Sequence, residues 1–413
     1  MQPSMTKTFP FPSRTIPSRP SQLRQTNARG LLQLLQEHNP CSKADLVRYS
    51  GLSAPTVSSG IAHLEGLGLV EQIGDGESSG GRPPGMLRFN ARHGYVAAAD
   101  IGGTRVRMML ADLGGNVITQ WSTMLGAKQK TPEGVCSLIA EGLKTMCRQS
   151  ATPLRKVLHL TAGAPGITNV DTGVVLSAPN LDEWNDVPLR EMLERETGIP
   201  CIVENDTNLA AVGEHGRGAA RGIDNFIFMA LGTGVGAGIF IHGQLHRGAQ
   251  WSAGEIGYLG VSGKKRSPMK VHELGQLEQA IGGAGIEEEW QRMLQRNDPV
   301  RGENTNVELM GLKASQIFDL AAEGDRAAGE VVHYTSTILA DAIADISLLL
   351  NPEVVVLGGG VGSHAELCRA TEKLVQRHEF AQPMLRSSSL GTQAQLHGAV
   401  SVSLSAVEEQ ILE

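Results

Sequence analysis

Three glycine-rich stretches of this 413-residue chain each follow an apolar run: "DIGGTRVR" from Asp100, "LGTGVGAGI" from Leu231 and "LGGGVG" from Leu357. A glycine turn at a strand end presents backbone N–H groups to phosphate oxygens with no side chain in the way. Gly102, Gly103 and Thr104, then Gly232, Thr233 and Gly234, are therefore candidate nucleotide-phosphate positions, and Gly359 and Gly360 are placed to lie beside a base or ribose. One such turn is usually only a tight hairpin. Three in one chain carry more weight.

A second kind of chemistry is written in "GIPCIVENDTNLAAVGEHGRG", where an apolar strand ends in Glu204, Asn205 and Asp206 before an Ala-rich helix. A carboxylate held at a strand end by a helix start can take the proton from an attacking hydroxyl. Asp206 is that candidate base; its structural alternative is a helix N-cap or a surface carboxylate.

These groups need a scaffold, and the sequence repeats one. "YVAAADIGGTRVRMMLADLGGNVITQWS" reads as three strands joined by glycine turns, and "NFIFMALGTGVGAGIFIHGQLHRGA" returns to strand, glycine turn, strand, turn. This is an internal duplication. Helical and strand segments follow each copy, so the economical architecture is two α/β lobes facing each other across a cleft that both turns flank. The first lobe is expected over residues 94–222 and the second over 223–413, with the C-terminal helix packing back on the first lobe.

The first ninety residues follow another plan. Residues 1–22 are rich in Pro, Ser and Thr, and are expected to be a disordered arm. From Asn27, "NARGLLQLLQEHN" sets Leu31, Leu34 and Leu35 on one helical face. "CSKADLVRYS" makes a short second helix with Ser42 as N-cap and Ala44, Leu46 and Val47 inside. After Gly51, a third helix starts with Ser53 as N-cap and Pro55 in its first turn, and turns Val57, Ile61 and Leu64 inward. Its outer face keeps Ser53, Thr56, Ser58, Ser59 and His63. A slim helix with small polar residues outside suits the DNA major groove. "LVEQIGDGESSGGRPPGMLRFN" then reads as strand, loop and strand, a wing whose tip carries Arg82 on a stiff segment suited to the minor groove; the alternative for the tip is a flexible interdomain linker. Residues 23–90 are thus a winged helix-turn-helix.

Charge agrees with this division. Residues 1–90 hold nine Lys/Arg against six Asp/Glu, while the whole chain is at -7, so a mildly basic head precedes an acidic body. No apolar run is long enough to span a bilayer and no signal peptide is recognisable, so a cytoplasmic protein with no membrane partner is expected. Cys41, Cys136, Cys147, Cys201 and Cys368 are scattered without a C-x-x-C pair, which indicates reduced thiols rather than disulfides or a cysteine zinc site.

Taken together, "SSGGRPP", "DIGGTRVR", "APN" with "VENDTN", "LGTGVGAGI", "GEIG" and "LGGGV" resemble the ROK family (repressors, open reading frames, kinases), from about residue 20 to the end. The resemblance is to the repressor branch, since free-standing sugar kinases of the family lack the winged helix. It implies an α/β body of two lobes, actin-like or hexokinase-like, a ribonuclease H-like duplication. It also implies that Asn180, Asn205, Asp206, Glu255 and Glu278 bind sugar hydroxyls, and that the glycine turns face ATP phosphates if ATP binds. The function implied is a sugar-responsive repressor of carbohydrate-metabolism genes, acting on operator DNA as a homodimer or higher homo-oligomer. The alternative is an ATP-dependent sugar kinase using Mg-ATP, with Asp206 as base.

The chain departs from the family pattern at one place. After "GEIG" the family carries a His and then a cysteine-rich loop that bind structural zinc. Here Tyr258 stands at the His position and no cysteine lies between Cys201 and Cys368. Tyr258 and His272 alone cannot build a four-coordinate zinc site, so no metal is expected. Tyr258 either donates a hydrogen bond to the sugar or reshapes the pocket.

Overall fold

The computed structural model describes residues 20–75, 84–178, 181, 183–265, 269–270, 273–297 and 307–412. The chain divides into two compact units, one of residues up to His93 with Ala406 onward, the other Gly94–Ser405.

In the first unit, α1 (Pro20–Glu37) is followed by β1 (Cys41–Ser42), α2 (Lys43–Ser50), α3 (Ala54–Gly66), β2 (Val70–Asp75) and β3 (Gly85–Phe89). Ser42 caps α2 through a reciprocal pair of hydrogen bonds with Asp45, and Gly51 in the left-handed conformation ends it. Ser53 caps α3 by accepting from the Thr56 N–H. Val57, Ile61 and Leu64 are buried against Leu31, Leu35 and Leu46, and β1, β3 and β2 close a three-stranded sheet over the helices. Three details differ from expectation. Helix α1 already begins at Pro20, inside the segment read as arm; Leu32 rather than Leu34 is buried in it; and Ala44 is exposed on α2. A stripe of about 100° on a helix leaves one flank open to choice, and packing against α2 and α3 makes that choice.

The second unit holds two five-stranded sheets. The first is built from β4 (Tyr95–Ile101), β5 (Arg105–Asp112), β6 (Val117–Met124), β7 (Val157–Ala164) and β11 (Cys201–Asn205), in the order β11-β7-β4-β5-β6. Helix α4 (Pro132–Gln149) links β6 to β7, and a small sheet of β8 (Ile167–Asn169), β9 (Val174–Ser177) and β10 (Asn185–Val187) precedes α5 (Leu189–Thr197). Helix α6 (Asp206–Arg217) leads to the second sheet, of β12 (Phe226–Leu231), β13 (Val235–Ile241), β14 (Gln244–His246), β15 (Val354–Gly358) and β16 (Met384–Ser387), in the order β14-β13-β12-β15-β16.

Between β14 and β15 run α7 (Gln276–Ile281), α8 (Gly283–Asn297), α9 (Val307–Met310), α10 (Ala314–Ala322) and the long α11 (Arg326–Leu350). After β15 come α12 (Gly359–Gly362), α13 (Ala365–Val375) and, beyond β16, α14 (Ala394–Leu412). In both sheets an antiparallel hairpin, β4–β5 and β12–β13, pairs with a parallel strand, β7 and β15, so the repeated plan seen in the sequence is present.

Helix α14 packs on α6 and on the first sheet. Its Ser403 hydroxyl meets Thr161 at 2.6 Å and His159 at 3.1 Å, both on β7. Burial holds the His159 imidazole down at about 4, hence neutral. The end of α14, from Ala406, groups with the first unit, where Glu408 pairs with Arg29 of α1 at 3.0 Å. All five cysteines are free, and burial pushes their thiols up, to about 11 for Cys41 and about 12 for Cys136. Among the described residues no helix is long and apolar enough to cross a membrane.

Candidate functional site

Strand β13 is where the carboxylates meet. On one side the start of α6 presses against it: a side chain at Gly236 would lie 3.3 Å from Thr207 Oγ1, and one at Gly238 would be 3.1 Å from the Thr207 carbonyl. Glycine here admits the helix N-terminus to the strand backbone. Asn205 caps α6, accepting from the Asn208 N–H at 2.9 Å while its Nδ2 donates to the Gly166 carbonyl at 2.9 Å. The cap is therefore Asn205, one residue before Asp206. The Asp206 carboxylate accepts from the N–H and hydroxyl of Thr207 at 2.7 and 3.2 Å and remains partly open.

At the backbone of β13 itself, the Gly254 carbonyl accepts from the Ala237 N–H at 2.8 Å and the Ile256 N–H at 2.7 Å, which sets Glu255 at the strand. Glu278 of α7 reaches the same strand end, accepting from the Val235 N–H at 3.0 Å. Tyr258 follows in the turn after Glu255, and its hydroxyl donates to the Lys270 carbonyl at 3.4 Å.

The electrostatics follow from this convergence. Burial, with the Asp100 charge adding to it, pushes Asp206 up to about 7. Burial also raises Glu255 to about 7, helped by the charges of Asp206 and Glu278. Glu278 is raised by burial, against the hydrogen bond from Val235, and Tyr258 by burial and then by both glutamates. Three carboxyl groups thus share one site, and ionising each makes the next harder to ionise. Such a set offers acceptors and, when protonated, donors, the mixture a ring of hydroxyls requires.

Asp100 is the last but one residue of β4, with only Ile101 between it and the Gly102–Thr104 turn, and is 4% exposed. Arg107, opposite it on β5, holds it with Nε at 2.8 Å and Nη2 at 2.6 Å, and donates through Nη1 to the Thr392 carbonyl at 2.5 Å. Burial raises Asp100 and Arg107 opposes the rise. The turn beyond it is closed by Gly102 N–H donating to Arg105 O at 3.0 Å, with Gly103 and Thr104 exposed. In the second sheet, Gly232 donates to Gly234 O at 3.0 Å, Thr233 is exposed, and a side chain at Gly232 would lie 3.8 Å from Gly360 N. The Gly232–Gly234 turn and the Gly359–Gly360 segment therefore lie together. Gly359 has φ +84, which glycine alone adopts without strain.

In the winged helix, Ser53, Ser58, Ser59 and His63 are exposed and Thr56 partly so, on the face of α3 away from its core. Arg82, Asn180 and His272 lie outside the described residues. Among the ion pairs that the sequence reading did not anticipate, two lie beside the site residues, Asp100 with Arg107 and Glu204 with Arg247. The Asp100 carboxylate lies within the quoted "DIGGTRVR", where a basic residue seven positions on was the available signal. The Glu204 pair spans 43 positions and had none.

Comparison with known proteins agrees with this anatomy. Residues 96–405 match the ROK family and residues 25–78 match the MarR family. The xylose repressor of Caldicellulosiruptor bescii is 26% identical over 366 residues, 87% of this chain and 90% of that protein. The glucokinase of Halalkalibacterium halodurans is 33% identical over 271 residues, 65% of this chain and 80% of that protein. The crystal structure of a ROK family transcriptional regulator, a homolog of the E. coli MLC protein, covers 94% of this chain and 98% of its own, with TM-score 0.78 at 23% identity. That likeness shows the fold. With a MarR-type winged helix ahead of a hexokinase-like, actin-like body, the chain belongs to the ROK family.

Proposed function

We propose that this protein is a sugar-responsive transcriptional repressor whose winged helix binds operator DNA and whose body senses a sugar or sugar derivative. The observation that carries the reading is the pairing of an exposed, small-polar recognition helix with a body in which Asp206, Glu255 and Glu278 converge on one strand. In this reading Asn180, Asn205, Asp206, Glu255, Tyr258 and Glu278 take the sugar, and Ser53, Thr56, Ser58, Ser59, His63 and Arg82 face DNA. The repressor acts in the cytoplasm as a homodimer on paired half-sites. It carries no structural zinc, because a tyrosine hydroxyl is a poor replacement for imidazole and the thiolates are missing.

Sugar controls DNA binding only if its affinity differs between the DNA-binding state and the other state. Fluorescence anisotropy at fixed salt, with DNA from upstream of the protein's own gene and with random DNA, tests the reading. Preference for the upstream DNA, altered by D-xylose, D-glucose or N-acetyl-D-glucosamine, is the expected result. Equal affinity for both DNAs refutes it.

A second reading is favoured by one observation. Asp206 near 7 has the proton affinity a general base needs at neutral pH, and the Gly102–Thr104 and Gly232–Gly234 turns are open. As a sugar kinase, the body would hold Mg-ATP at those turns and Asp206 would accept the proton of the sugar hydroxyl. ADP release with D-glucose and Mg-ATP, abolished in Asp206→Asn, would establish it.

A further inference from the structure

The loop that carries Glu255 is anchored twice. It leaves β14 at Arg247, is closed on itself by the Ala253 N–H donating to the Arg247 carbonyl at 3.1 Å, and meets β13 through Gly254. Gly248, with φ +73, allows the chain to reverse there. The Gly254 anchor is made by backbone groups, and it needs glycine, since a Cβ there, at φ +95, would overlap the Ala237 carbonyl. The second anchor is the Arg247 side chain, whose Nε donates to Glu204 Oε2 at 2.6 Å.

Glu204 is the last but one residue of β11, two before Asp206, and is 2% exposed. Its other oxygen, Oε1, already accepts from the Asn205 N–H at 2.9 Å and from Asn208 Nδ2 at 3.0 Å. One carboxylate therefore divides its oxygens between the start of its own helix and an arginine from the other sheet. A buried carboxylate so committed holds its cation in place, because separation would leave an uncompensated charge.

Resting on the sugar-sensing reading above, we infer that Arg247 is a positioning residue: its bond to Glu204 fixes the spacing between Asp206 on α6 and Glu255 on the loop, and so sets the affinity for the sugar held between them. Arg247 touches neither the ligand nor the reacting atoms in this scheme. It removes a freedom that the sugar would otherwise have to remove on binding. A loop that the sugar must itself order weakens binding on the order of tenfold.

The test uses the full chain and isothermal titration with D-xylose and with D-glucose at 25 °C. The expected result is a Kd raised about tenfold in Arg247→Met and restored to within about threefold in Arg247→Lys, which keeps the charge but not the planar fork. Hydrogen exchange across residues 247–258 should quicken in Arg247→Met while the strands β7 and β12 keep their protection. Glu204→Gln keeps the size of the side chain and serves as the second variant should Arg247→Met fail to fold; it too should weaken the sugar. Unchanged affinity in Arg247→Met or Glu204→Gln, with the wild type binding sugar, overturns the positioning role alone. A fold-wide loss of exchange protection, with Arg247→Lys no better than Arg247→Met, also overturns it, in favour of a purely structural pair. A wild type that binds none of D-xylose, D-glucose and N-acetyl-D-glucosamine, titrated in the same way, refutes the sensor reading and removes the positioning role with it.

Discussion

Replacing Asp206 by Asn should make the protein more stable, and more so at high pH. In the fold the Asp206 carboxyl titrates at about 7, against 3.8 for the unperturbed group. Between those values the folded chain holds a proton that the unfolded chain has lost, so stability falls as pH rises, at about 1.36 kcal/mol per unit. The accumulated cost is about 2 kcal/mol at pH 5 and levels off near 4 kcal/mol by pH 8. Asparagine carries no charge at any pH and its carbonyl oxygen can still accept from Thr207. The variant should therefore gain about 2–3 kcal/mol more at pH 8 than at pH 5, or roughly 3–5 °C in Tm for a unit of this size. Glu255 adds to the effect with the same sign, because the Asp206 charge is one cause of its own rise. Differential scanning calorimetry of both proteins at pH 5, 6, 7 and 8 reads it directly. A Tm difference that does not change with pH would refute the half-buried, mutually repelling set of carboxyls described above. In the same samples, a sugar that raises the wild-type Tm should leave that of Asp206→Asn unchanged.

Two further outcomes are expected. Gly398 on α14 faces α6 so closely that a Cβ there would overlap the Leu209 carbonyl oxygen and lie 3.0 Å from Gly213 N, so Gly398→Ala should cost about 1–3 kcal/mol or more; a Tm within a degree of wild type would contradict that packing. Purified protein should contain well under one zinc per chain by plasma mass spectrometry, and EDTA should leave its Tm unchanged; stoichiometric zinc would show that other donors replace the missing imidazole and thiolates.

Much of the architecture was legible because it rests on local rules. Ser42 and Ser53 announce helix starts through side-chain oxygens, and Val57, Ile61 and Leu64 announce the buried face of α3 by their period. The two strand–glycine–strand repeats announced the paired sheets. Flanking positions were less legible: Leu32 rather than Leu34 turns inward, a choice made by the neighbouring helices. The identity of the α6 cap was also open, since both Asn205 and Asp206 can cap; the tie of Asn205 to the Gly166 carbonyl, 39 positions away, accompanies the choice.

What the sequence determined by itself was the inventory and its local form: which residues can turn, cap, bury or ionise, and that a DNA-reading head precedes a duplicated body. Only the tertiary structure decided what those residues do to one another. Asp206, Glu255 and Glu278 have ordinary carboxyl chemistry in the chain, and become a coupled set because β13 draws them together and partly out of water. Glu204 and Asp100 likewise meet their partners, Arg247 and Arg107, only in the folded chain. The physical reason is that hydrogen-bonded turns and periodic faces are set by neighbours along the chain, whereas the proton affinity of a buried group depends on the field and solvent of its surroundings in space.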